Sequence, residues 1–271
     1  MKLLTDPDFR TAPLATAMAY SQAAITANWK NTLIVALVLV VLSLLEFIPI
    51  VAIVFSLLQT IILYALGYWF VDRAKRSDTL SAFRESVKND TPTGMMWEFA
   101  APATGFYVGF FIFSLIMILI TIGLFWLSGG FAMMATIQPP AANASPEQVY
   151  AFYGQILGTS TPAVLFVLIT SLFFSYLWPL VYGYALFQRS FGDAFNAVFM
   201  FFSTRFWRAA FTWKYLKLAT LWMLAVFAVG ILMGITFATI FLIPLGILLL
   251  MWLIYFTAGA SAAAYNQTDA V

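Results

Sequence analysis

From Leu33 to Val71 the chain is almost unbroken apolar sequence. As one helix this run would reach ~58 Å, about twice the ~30 Å hydrocarbon thickness of a bilayer, so it must fold back on itself. The reversal falls at Glu46-Phe47-Ile48-Pro49, because Pro49 lacks an amide donor and disfavours helical geometry at the residue before it. The first span then runs from about Trp29 to Phe47 and the second from about Pro49 to Val71.

The same reasoning applies from Leu216 to Ala264, where Phe241-Leu242-Ile243-Pro244 is the break between the fifth and sixth spans. A middle hairpin has spans at about Gly105 to Leu127 and Pro162 to Phe187, joined by an outer loop over 128–161. In that loop, Ser145-Pro146-Glu147 has the order of an N-cap, a first-turn proline and a first-turn acid, and predicts a short helix carrying Val149, Phe152 and Tyr153. The expected fold is therefore all-α: a single polytopic transmembrane bundle over residues 1–271, six helices in three hairpins at about 29–71, 105–187 and 213–265.

Composition agrees, with 63% hydrophobic and 9% charged residues, against roughly 45–50% and 25% in ordinary soluble domains. The absence of Cys and His removes disulfides, thiolate nucleophiles, imidazole acid-base chemistry and zinc or haem ligation by those groups. No cofactor is expected. A net charge of +2 is too small to imply a nucleic-acid partner.

All 13 Lys and Arg lie in three places. These are the N-terminal segment (Lys2, Arg10, Lys30), the segment after the second span (Arg73, Lys75, Arg76, Arg84, Lys88) and the segment after the fourth (Arg189, Arg205, Arg208, Lys214, Lys217). The opposite-side turns and residues 128–161 carry none, so the positive-inside rule places both termini in the cytoplasm. The first residues, MKLLTDPDFRTAP, contain no long apolar core before a small-residue cleavage site, and predict no signal peptide.

A segment with helical amphipathic spacing precedes each hairpin, and such segments beside Lys and Arg lie flat at the membrane interface. They are marked by Leu14, Met18, Ile25 and Trp29; by Leu80, Phe83 and Val87; and by Phe191, Phe195, Val198, Phe199, Phe202 and Phe206. Asp78 and Asp193 are the expected caps of the latter two. The first and third units form a weak internal repeat, each ending its amphipathic segment at a Trp-basic pair (Trp29-Lys30, Trp207-Arg208) and turning at an Ile-Pro (Ile48-Pro49, Ile243-Pro244).

Few residues carry candidate chemistry. Glu46 is the one acid within the apolar stretches proper, and an intramembrane carboxylate is by default a proton carrier or cation site. Its place three residues before the turn proline also suits a solvated turn residue, and that position favours the second reading. Pro179 falls inside the fourth span with Tyr182 and Tyr184 just beyond, so a kink there would mark a substrate pocket or a simple bend. Gly230 and Gly234 form a GxxxG spacing, and Ala258-Gly259 opens a run of small residues to Ala264. These are packing faces, within the bundle or to a partner chain, with the bundle the simpler use. Asp72, Glu85 and Glu98 are expected as solvated or interfacial charge. Phosphate-binding glycine loops, Ser-x-x-Lys pairs and GxSxG elbows are absent.

At Asp193-Ala194-Phe195, Phe206-Trp207, Ile243-Pro244-Leu245 and the small-residue final helix, the chain resembles a loose class of bacterial six-helix membrane proteins. That class includes the YciC-like proteins and the membrane domain found beside some glycerophosphodiester phosphodiesterases. The resemblance implies a bacterial inner-membrane protein with three Pro-turned hairpins and carries no active-site residue across.

Three functions follow as expectations. The first is a non-enzymatic accessory, assembly or envelope-maintenance factor with membrane lipids and a membrane-protein partner or second copy of itself as partners. The second is a small transporter or channel near Glu46, Pro179, Tyr182 and Tyr184. The third is a lipid-modifying enzyme, which would need Glu46 or Asp72 beside hydroxyls in a cleft.

Overall fold

A computed structural model of the chain describes residues 4–49, 51–127, 129, 145–239 and 243–268. Every regular element among them is helical. In chain order these are α1 (Asp8–Thr11), α2 (Pro13–Ala27), α3 (Trp29–Leu45), α4 (Ala52–Lys75), α5 (Leu80–Lys88), α6 (Pro92–Trp97), α7 (Ala100–Leu127) and α8 (Pro146–Leu186). There follow α9 (Phe191–Val198), a 3-10 turn (Phe199–Phe202), α10 (Thr204–Ala210), α11 (Trp213–Ala238) and α12 (Ile243–Thr268).

Five of the helices are long and apolar enough to cross a membrane, and a sixth span results if α2 and α3, bent by 93° against each other, count as one. The straight part, α3, has 17 residues and so reaches about 25 Å, just short of a hydrocarbon core. These helices make the chain a multi-pass membrane protein.

Polar residues set the boundaries on the charged side. Thr79, Thr91, Ser190, Ser203 and Thr212 each accept from the amide three residues on, to Ala82, Gly94, Asp193, Phe206 and Tyr215, and so satisfy one orphan donor of α5, α6, α9, α10 and α11. The expected caps Asp78 and Asp193 are thus replaced by their neighbours. Asp193 instead accepts the Ser190 hydroxyl at 2.7 Å.

Several boundaries move. The turn after α3 occupies more of the chain than the proline alone suggests. Phe47 and Ile48 close α3 with tight bonds to Leu44 and Leu45, and Ala52 starts α4 on the carbonyl of Ile48. The helix capped by Ser145 does form, with the Ser145 amide on Gln148 Oε1 at 3.0 Å, but it does not end. It runs on as one 41-residue helix through Pro162 and Pro179 to Leu186, since a proline can stay in a membrane helix when its freed carbonyl is satisfied otherwise. Residues 146–161 of the expected outer loop are therefore helical; 128 and 130–144 lie outside the described residues, as do 240–242 of the second apolar turn. The third amphipathic segment is broken into α9, the 3-10 turn and α10.

The chain forms two compact units, residues 1–110 with 176–271, and residues 111–175. The smaller consists of the later part of α7 and the earlier part of α8. The Phe113 and Phe174 rings meet there at 4.7 Å, and Leu119, Ile169 and Leu172 point outward, each more than 60% exposed, as lipid-facing side chains do.

The larger unit has two kinds of core. Near the charged side, Phe9, Tyr20, Phe83, Phe70, Tyr255 and Trp69 form a continuous chain of ring contacts, all of them buried. Here α5 turns Phe83 and Val87 inward, as its periodicity predicts, and keeps Arg84, Glu85 and Lys88 outside. Between the spans, burial from lipid supplies little driving force, and close backbone approach does the work instead. A Cβ on Gly183 would lie 2.2 Å from the Ser261 carbonyl oxygen, and one on Gly105 2.1 Å from that of Phe191. α2 buries its small face, Ala17, Ser21 and Ala24, and leaves Met18 and Trp29 of the expected stripe exposed.

Candidate functional site

The densest polar constellation gathers where α4 leaves the apolar layer. Arg73 holds Asp90 with two parallel bonds, Nε to Oδ2 at 2.7 Å and Nη2 to Oδ1 at 3.1 Å, and reaches Glu98 at 3.0 Å and Asp72 at 3.3 Å. Asp72 is only 4% exposed and is gripped also by Arg76 at 2.6 Å and Arg189 at 2.5 Å. Trp69 donates its indole N–H to Asp90 at 2.8 Å. The Nδ2 of Asn28, at the α2–α3 bend, donates to the carbonyls of Val87 and Asp90 at 2.8 and 2.9 Å, and Asn31 adds a further bond to Asp90.

Each member has a local reason to be there. Asp72 and Arg73 lie on the last turn of α4 and Arg76 is its C-cap, where cations suit the helix C-terminus. Asp90 ends the segment after α5, and Arg189 follows α8 directly. The expectation of solvated charge at Asp72 is overturned: three guanidiniums surround a buried carboxylate, which desolvation permits only when the charge is matched and hydrogen-bonded. Glu98 is likewise bound by Arg73, whereas Glu85 is exposed beside Lys88. Chemically this arrangement leaves all three carboxylates, Asp72, Asp90 and Glu98, occupied by guanidinium groups. It ties α3, α4, the segment before α6, and the chain after α8 to one another.

Pro179, Tyr182 and Tyr184 are all buried on α8. Around Tyr182 the rings of Tyr64, Phe106 and Trp178 close in at 5.9, 5.2 and 5.6 Å, with Phe110 on Trp178 at 5.2 Å. A Cβ on Gly67 would meet the Tyr182 hydroxyl at 2.1 Å. The space around Tyr182 is therefore filled by aromatic rings from α4, α7 and α8. Glu46 is the C-cap of α3, half-buried, and its enclosed Oε1 has no hydrogen-bond partner among the described residues. Of the small-residue positions, Ala258 is buried and Gly259 packs on Ala17. Gly230 and Gly234 are exposed, and a Cβ at either would meet no atom within 4 Å, so among the described residues the GxxxG face makes no helix contact.

Sequence reasoning missed Asn28, Trp69 and Asp90. Their signal was faint: Asn28 interrupts an otherwise apolar approach to Trp29, and Asp72 directly follows Trp69-Phe70-Val71 where a solvated acid would be out of place. Among the described residues no group of three or more acids could hold a metal ion.

Fold and site together define a polytopic helical membrane protein with an ion-pair network at one end of its larger unit. No protein-family model, no curated protein and no solved structure matches the chain.

Proposed function

We propose that this is a six-span protein of a bacterial inner membrane, with both termini cytoplasmic, that serves as an accessory, assembly or envelope-maintenance factor and acts through its helix faces without catalysis. The observation that carries this reading is the outward GxxxG face of α11. A Cβ on Gly230 or Gly234 would meet no atom within 4 Å among the described residues, and Phe227, Ile231 and Ile235 beside them are more than half exposed. Small residues on a membrane helix allow a second helix to approach closely, and this face is left for one. The distribution of Lys and Arg supports the orientation, and the likeness to the six-helix bacterial class supports the compartment.

A second reading, a small transporter or channel, keeps one observation in its favour. Among the described residues no group donates to an enclosed oxygen of the Glu46 carboxylate, and a carboxylate at an intramembrane position is by default a candidate proton or cation carrier.

Purification in native-lipid nanodiscs followed by quantitative mass spectrometry separates the two. A membrane protein or second copy recovered at fixed stoichiometry, and lost in the G230I/G234I double variant, supports the partner reading. Recovery of the chain alone, with that variant unchanged, refutes it and shifts weight to transport.

A further inference from the structure

A groove of about 410 Å3 opens where the N-terminal segment meets the start of α11. Arg10, Lys214 and Lys217 line it together with Leu14, Leu218 and Leu221, and no acidic residue does. The cations of the ion-pair network, Arg73, Arg76 and Arg189, are all matched by carboxylates. Arg10, Lys214 and Lys217 make no side-chain hydrogen bond or ion pair among the described residues. The first turn of α2 lines the same groove, and its N-cap, Ala12, offers no side-chain acceptor.

The order of residues along α11 says what would fit. Lys214, Lys217, Leu221 and Leu224 recur at spacings of three, four and three, which places them along one face of a helix. The two lysines stand at its start, beside the exposed Trp213. Leu221 lies about 6 Å and Leu224 about 10 Å further in than Lys217, and both are exposed. A ligand matching this face has an anionic head and an apolar tail that enters the bilayer. We propose that the groove holds the phosphate of an anionic glycerophospholipid, with its acyl chains running down the Leu221–Leu224 face of α11. This site stands apart from the partner-binding reading above, since it needs only a bilayer. Free phosphate shares the head chemistry but leaves the apolar strip unused, whereas a lipid uses both.

The test compares phosphatidylglycerol with phosphatidylcholine by native mass spectrometry of the full chain released from mixed micelles. The wild type is expected to retain phosphatidylglycerol preferentially. R10Q/K214Q/K217Q is expected to lose that preference by about tenfold or more, given the contribution of each interfacial cation. The control K30Q/R84Q/R208Q removes the same formal charge from positions outside the groove and is expected to keep the preference. An equal loss in the control would show bulk attraction and overturn the site. Displacement of the lipid by equimolar inorganic phosphate would overturn the lipid assignment. A measurement on the unaltered chain does not depend on variant folding: phosphatidylglycerol with a diazirine on its acyl chain should label peptides containing Leu218 to Leu224. Labelling confined to other spans would also overturn the proposal.

Discussion

Asp72 and Arg189, 117 positions apart in the chain, meet at 2.5 Å, and this pair fastens the end of α4 to the segment that follows α8. The two partners are unequally placed: Asp72 is 4% exposed and Arg189 65%. Arg73, at 13%, is the cation enclosed among the carboxylates.

Truncation should follow that asymmetry. Arg189→Ala removes an arm that water already reaches, and is expected to cost about 0.5 kcal/mol. Arg73→Ala strips Asp90 and Glu98 of their cation and leaves the buried Asp72 with weaker compensation, at about 3 kcal/mol. Arg73→Lys should recover less than half of this, since an ammonium cannot supply the paired Nε and Nη2 bonds to Asp90. Unfolding in detergent micelles followed by tryptophan fluorescence, with Trp69 in the network, measures all three. Equal losses for Arg189→Ala and Arg73→Ala would refute this account of the network.

Gly183 on α8 and the two glycines of α11 should respond in opposite directions. Gly183→Ala puts a methyl 2.2 Å from the Ser261 backbone oxygen, so α8 and α12 must separate, at a cost of about 1–3 kcal/mol. Gly230→Ala and Gly234→Ala meet nothing within 4 Å and replace a poor helix former with a good one, a change from neutral to about 1 kcal/mol stabilising. The readout is the melting temperature of the isolated chain. A loss for Gly230→Ala equal to that for Gly183→Ala would mean that the α11 face is already packed within the chain.

Much of this architecture is legible in the sequence because bilayer thickness and backbone hydrogen bonding leave few choices. The start of α3 at Trp29, the end of α7 at Leu127 and the reversal near Pro49 all follow from run length and from proline's missing donor. The network is less legible. Asp72 lies 117 positions from Arg189 and Asp90 17 from Arg73, and local composition cannot pair charges across such distances. The continuity of α8 through Pro162, back into the expected outer loop, was hidden for a related reason: proline marks where a helix loses a bond, and only the packing around it decides whether the helix stops. The GxxxG spacing shows that α11 has a small face, and the neighbours of that face decide its use.

Asn28 offers a test of redundancy. It donates to the carbonyls of Val87 and Asp90, while Asn31 also donates to Asp90 at 2.9 Å. Asn28→Ala is expected to cost about 1–2 kcal/mol, because it is 4% exposed and the Val87 carbonyl loses its side-chain donor. Asn31→Ala should cost less than about 0.5 kcal/mol, because Asn28 still satisfies Asp90. The double variant should then exceed the sum by about 0.5–1 kcal/mol, as the Asp90 carbonyl loses both donors at once. A double-mutant cycle on denaturation midpoints in micelles gives the coupling directly, and strict additivity would show that the two bonds do not share an acceptor in solution.

Glu46 separates the accessory reading from the transport reading in one residue. Among the described residues no group donates to its enclosed Oε1, and a neutral amide costs less to bury there than a charged carboxylate would. Glu46→Gln should therefore melt no lower than the wild type. In proteoliposomes loaded with a pH-sensitive dye, the accessory reading expects proton leak at the level of empty vesicles for both proteins. A carrier would show a wild-type flux above that level, reduced tenfold or more by Glu46→Gln, since one neutral amide can neither take up nor release the proton. Flux of that kind would transfer the function from the outer faces of the helices to the turn between α3 and α4, while flux equal to that of empty vesicles in both leaves Glu46 as a turn residue.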